Sequence, residues 1–147
     1  MGFLHKRERG AVAVEFAFVF PILLLLVYGV ITYSFLFLLT TAVHYAAQVG
    51  AEAAVAVAPS ADEDEYVADI DTRVRAVVYQ NLSWLSPSQL ERLTIDPSFP
   101  DDDGIADTVL VRLQFNMVGL FPVVDLPLVG AVPRFPDIVV ATANANI

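Results

Sequence analysis

Residues 16–39 run for 24 positions without a charged side chain, and this run restricts the chain more than any other feature. As a helix rising about 1.5 Å per residue it spans roughly 36 Å, against a bilayer hydrocarbon core of about 30 Å. One tilted membrane crossing is the natural reading. Glu15 stands at the head of the run, and no further Asp, Glu, Lys or Arg follows until Glu52. Pro21 falls inside the expected helix, where its missing N–H and its ring predict a mild kink over residues 17–21. Tyr28 and Tyr33 fall partway along, and His44 with Tyr45 suits the outer membrane–water boundary.

The rest of the composition agrees with an anchored chain. The 147 residues are 56% hydrophobic with mean hydropathy +0.62, too apolar for a typical soluble domain. Lys6, Arg7 and Arg9 precede the run, whereas Arg73, Arg75, Arg92, Arg112 and Arg134 lie far beyond it. Basic residues flanking one end of a span hold that end in the cytoplasm, so the acidic remainder faces outward. A net charge of −9 argues against nucleic acid as a partner, because few phosphates could be neutralised. With no cysteine and only His5 and His44, disulfides, thiolate metal sites and histidine-based catalysis are all disfavoured. A secretory signal would be shorter; Ala56-Val57-Ala58 resembles a cleavage site but lies too late and is followed by Pro59.

Three segments follow: a basic cytoplasmic leader (1–10), a membrane-spanning and extended helix (11–58) and an extracytoplasmic α+β domain (59–147). The alanine-rich stretch after the span should carry the same helix into water. Ala42, Ala46, Gly50, Ala54 and Ala58 recur every four residues, which either lets another helix approach closely or reflects only how common alanine is in helices. Asp62-Glu63-Asp64-Glu65 reads as the acidic first turn of a second helix, with Val67, Ile70, Val74, Val77 and Val78 on one face as far as Leu82. Trp84 to Ser88 is a turn, with Ser88 the expected cap of a short helical turn, and Trp84 and Phe121 are expected in the core. Residues 93–96 and 108–115 alternate as strands, Asp103-Gly104 is a hairpin signal, residues 119–136 read as a proline-punctuated loop, and residues 137–147 close as a strand. The expected domain is an amphipathic helix packed on a short antiparallel sheet.

Glu15 needs a physical account. A carboxylate well inside a bilayer costs about 2.5–3.5 kcal/mol on insertion scales. Cleavage after Gly10 would make Ala11 the amino terminus and place Glu15 about one helical turn from a free amine with reference pKa ~7.7–8.0. That amine, from the same chain or a neighbouring subunit, would neutralise it. Alternatively the leader stays, and Glu15 reaches the cytoplasmic interface beside Arg9.

At these residues the chain resembles a known family. Gly10, Ala11-Val12-Ala13-Val14 and Glu15-Phe16 followed by the long apolar helix are similar to the processing site of type IV pilin-like proteins. With Arg9, Pro21 and the alanine-rich extension, the whole most resembles the TadE-like pseudopilins, or minor pilins, of the tight-adherence (Flp) pilus system. The resemblance is strongest over residues 9–58. It implies that a prepilin peptidase of the bacterial inner membrane cuts between Gly10 and Ala11, that Glu15 and Phe16 support processing or subunit registration, and that the chain is a substrate and no enzyme. It implies partners as well: membrane lipid, the peptidase, other pilin and pseudopilin subunits, and an assembly platform with its secretion ATPase.

One acidic cluster suggests a different chemistry. Asp101, Asp103, Gly104 and Asp107 give D-x-D-G-x-x-D, like the second half of a calcium loop. However, Phe99 occupies the place of the first acidic ligand and Leu110 that of the closing Glu. A solvated hairpin turn is the simpler reading, and no other cofactor is expected. The competing functional class is a permanently anchored extracytoplasmic binding module or adhesin, with calcium at this loop. No nucleophile, Walker-type or zinc motif supports an enzyme.

Overall fold

A computed structural model describes residues 5–99, 108–126 and 130–146, with side chains described for residues 12–99, 108–125 and 130–146. The elements in order are α1 (His5–Val55), α2 (Glu63–Asn81), α3 (Pro87–Leu90), β1 (Leu93–Ser98), β2 (Thr108–Asn116), β3 (Val124–Leu126), β4 (Gly130–Val132) and β5 (Ile138–Asn146). The architecture is the expected α+β arrangement: a long apolar N-terminal helix, then a helix and a small antiparallel sheet. The chain divides into two compact units, residues 1–36 with 123–134 and residues 37–122 with 135–147, so α1 contributes to both.

In the first unit, α1 presents apolar side chains outward. Phe16, Phe18, Val19, Ile22 and Leu26 are each at least 60% exposed. A core helix would bury them, and a helix with a membrane as its solvent would not. Val12–Val55 is the one stretch of the described residues long and apolar enough to cross a membrane. The helix continues through Pro21. Thr32, buried within this apolar setting, donates its hydroxyl to the Tyr28 carbonyl one turn back, so its polar group has a partner. The same unit holds β3 and β4, paired antiparallel with Val124 opposite Val132 and Leu126 opposite Gly130. Gly130 has φ +79°, a backbone conformation that glycine adopts without the steric penalty of a Cβ.

In the second unit, α2 starts where the acidic run predicts. The Asp62 carboxylate accepts from the Asp64 and Glu65 amides at 3.1 and 3.4 Å, satisfying two donors that the first turn leaves open. Glu63, Asp64 and Glu65 then face the positive end of the helix dipole. Ile70, Val74 and Val78 are fully buried at a spacing of four, each stabilising by roughly 1.5–3 kcal/mol. Val67 and Val77 are half-buried flanks of that face.

The sheet order is β1-β2-β5, antiparallel throughout. Leu93 faces Phe115, Ile95 faces Leu113, and β5 continues those rows with Val139 and Ala141. Alternation puts Val109, Val111, Leu113 and Phe115 on the buried side and Arg112 and Asn116 on the exposed one. Three details differ from the sequence-based expectation. Residues 119–136 contain the β3–β4 ribbon. Ser86, not Ser88, begins α3, because its amide donates to Gln89 Oε1 at 3.0 Å and Pro87 then fits the first helical position. Trp84 is 46% exposed, while Phe121 is half-buried and tilted at 49° against Phe135, ring centroids 5.2 Å apart.

Candidate functional site

The chemistry-bearing end of the chain lies on one helix. Because α1 begins at His5, the peptide bond between Gly10 and Ala11 is in helical backbone; their side chains lie outside those described. Glu15 follows Ala11 by four residues, the spacing that stacks side chains on one helical face about 5–6 Å apart at Cβ. The Glu15 side chain is exposed, and so are Val12, Val14, Phe16, Phe18 and Val19 around it. Among the described residues Glu15 makes no ion pair, and the side chains around it are apolar. Phe16 stacks on Phe20 one turn later with ring centroids 5.2 Å apart and planes 26° off parallel. That stack leaves both rings 43–63% exposed, presenting a broad aromatic surface beside the carboxylate.

The small-residue stripe has a different setting. Ala46, Gly50 and Ala54 are buried together with Leu39, Val43, Ala47 and Ala51. The neighbours of Gly50 are in its own chain: Val74 and Val78 of α2 and Val111 of β2. The helix that approaches closely at the stripe is therefore α2, backed by the sheet. Ala42 is only half-buried, and Ala58 lies beyond the end of α1. A four-residue repeat drifts by about 40° per step against 3.6 residues per turn, so its ends rotate off the packed face. Leu39, Val43, Ala47 and Ala51 complete that face, and the offsets of three and four between the two sets together were the available signal.

Of the remaining candidates, Asp101, Asp103 and Asp107 lie outside the described residues. Among the described residues no group of three or more His, Cys, Asp or Glu could hold a metal ion. His44 and Tyr45 are exposed on α1. Arg75 grips Asp71 at 2.8 Å on α2, and that hydrogen bond raises the guanidinium pKa. Both side chains are more than a third exposed, so the pair is a modest helix-surface contact.

Residues 10–52 match the family of TadE-like proteins. The match takes in Gly10, Glu15, the exposed apolar collar and most of the buried stripe, so the recognisable part of this chain is its helix. The match lies entirely within α1. Comparison with curated proteins and with solved structures found no match.

Proposed function

We propose that this TadE-like chain is a pseudopilin that acts in assembly of a tight-adherence (Flp) type IV pilus after a prepilin peptidase cuts between Gly10 and Ala11. The observation that carries the reading is the Glu15 carboxylate, one turn after Ala11, at the head of a helical run without Asp, Glu, Lys or Arg whose apolar side chains are exposed. Before cleavage Lys6, Arg7 and Arg9 hold the amino terminus in the cytoplasm, and the acidic domain faces outward. Gly10 lowers helix propensity by about 1 kcal/mol relative to alanine, which makes the scissile bond the easiest point at which to open the helix for a peptidase. Cleavage then removes three cations and creates one amine at Ala11. That amine, in this chain or in an adjacent subunit, neutralises Glu15 and fixes the axial register of one helix against the next.

On this reading the outer half of α1 is occupied by its own domain, and subunit contact falls to the exposed surface between Val12 and Leu38. The partners are membrane lipid, the peptidase, other pilin and pseudopilin subunits and the assembly platform. Deleting the gene and complementing it with the wild type or with Glu15→Ala tests the proposal in cells that build the pilus. The wild type should restore pili, and Glu15→Ala should insert in the membrane yet restore few. Normal piliation in the deletion strain would overturn the role in assembly.

A further inference from the structure

We infer that the free edge of β5 is an interface for a second copy of this chain, joined by antiparallel strand pairing centred on Thr142. The inference concerns the domain and stands without the processing reading. The sheet has two edges, and they are built differently. β1 has six residues and carries Asp96 and Pro97, a charge and a missing amide of the kind that discourage pairing with another chain. β5 has nine residues, Ile-Val-Val-Ala-Thr-Ala-Asn-Ala-Asn, with no charge, proline or glycine. Its ladder with β2 is uninterrupted from Ile138 to Asn146, so no bulge twists the edge away. Among the described residues no further strand pairs with it. A long, regular, uncharged edge is a template for another strand, and natural sheets seldom leave one undefended.

The pattern of charge and shape selects the occupant. Antiparallel pairing about Thr142 sets Ile138 opposite Asn146, Val139 opposite Ala145, Val140 opposite Asn144 and Ala141 opposite Ala143. No charge faces a charge anywhere along this register, although the chain carries −9 overall. The nearest acid, Asp137, then falls at opposite ends of the paired strands, about 34 Å from its copy at about 3.4 Å per residue. Parallel pairing would instead set the two Asp137 side by side. On the exposed face, Ile138 and Val140 are 49% and 48% exposed and gain cover from the opposing asparagines. On the other face the opposing residues are mostly alanine, so the approaching sheet meets no bulk. The result is a continuous six-stranded sheet across a two-fold axis.

The cysteine-free chain permits a direct test. Opposed residues in an antiparallel pair have Cα atoms about 4.5–5.5 Å apart, within disulfide reach. Single-cysteine full-length chains are expressed in membranes, oxidised and resolved without reductant. Thr142→Cys should give a reducible species of twice the chain mass, several-fold more abundant than that from Thr94→Cys, an exposed position on β1. Ile138→Cys alone should lag, and combining it with Asn146→Cys should recover the dimer. Cross-linking of Thr142→Cys no greater than of Thr94→Cys, or to a species of another mass, would overturn the proposal.

Discussion

A β-carbon placed on Gly50 of α1 would lie 3.1 Å from Val78 Cγ2 of α2. Val78 therefore fills the space that a side chain at this position would need, and glycine leaves that space open. Val74 of α2 and Val111 of β2 lie 3.5 and 3.6 Å from the same point, so α1, α2 and the sheet meet at Gly50.

Substitution at Gly50 should therefore separate helix propensity from packing. Gly50→Ala gains about 0.5–1 kcal/mol of propensity and meets Val78 only a few tenths of an ångström too closely, so the two effects nearly cancel. Gly50→Leu has no space to enter and should destabilise by about 1–3 kcal/mol. Thermal melts of the full chain in detergent, followed by circular dichroism, rank the two.

The sheet core should respond to truncation more strongly than the surface does. Phe115 is fully buried between Leu93 and Val139, its register partners on either side. Phe115→Ala should cost about 3–5 kcal/mol through lost burial and a cavity. Trp84→Phe, at a position 46% exposed, should stay within about 0.5 kcal/mol. Chemical denaturation of both variants checks the contrast.

The start of α2 should matter more than the ion pair on its surface. Asp62→Ala removes the acceptor for two amides and should cost about 0.5–2 kcal/mol. Arg75→Ala breaks an exposed i, i+4 pair with Asp71 and should cost only about 0.3–0.5 kcal/mol. Equal losses from the two would contradict the capping assignment.

Those elements were legible because one local rule governs each. The long apolar helix follows from the absence of charge between Glu15 and Glu52, α2 from an acidic cap followed by Ile70, Val74 and Val78, and β2 from strict alternation. Longer-range relations were not legible. The stripe at Ala46, Gly50 and Ala54 signals close packing, yet nothing local says that the partner is α2 of the same chain. The β3–β4 ribbon is hidden because three-residue strands among prolines carry no period. Ser86 and Ser88 both suit a cap, and the choice rests on Gln89 reaching back to the Ser86 amide. Glu15 was legible as a charge at the head of an apolar run, and its proposed role rests on the partner such a charge needs.

The acidic segment with Asp101, Asp103 and Asp107 should leave stability unchanged when calcium is added. An incomplete set of oxygen ligands, lacking the first acidic position and the closing glutamate, holds the ion weakly. The melt of the full chain in detergent with millimolar calcium should match that with chelator. A rise in melting temperature that Asp103→Asn abolishes would assign a site.

The amino terminus of the chain, isolated from cells that carry a prepilin peptidase, bears most directly on the proposed function. Intact-mass and N-terminal peptide mass spectrometry should find a chain that begins at Ala11, with the full-length form accumulating when the peptidase is removed. A chain that begins at Met1 or Gly2 in peptidase-competent cells would contradict the assignment and leave Glu15 as an interfacial carboxylate beside an uncut leader.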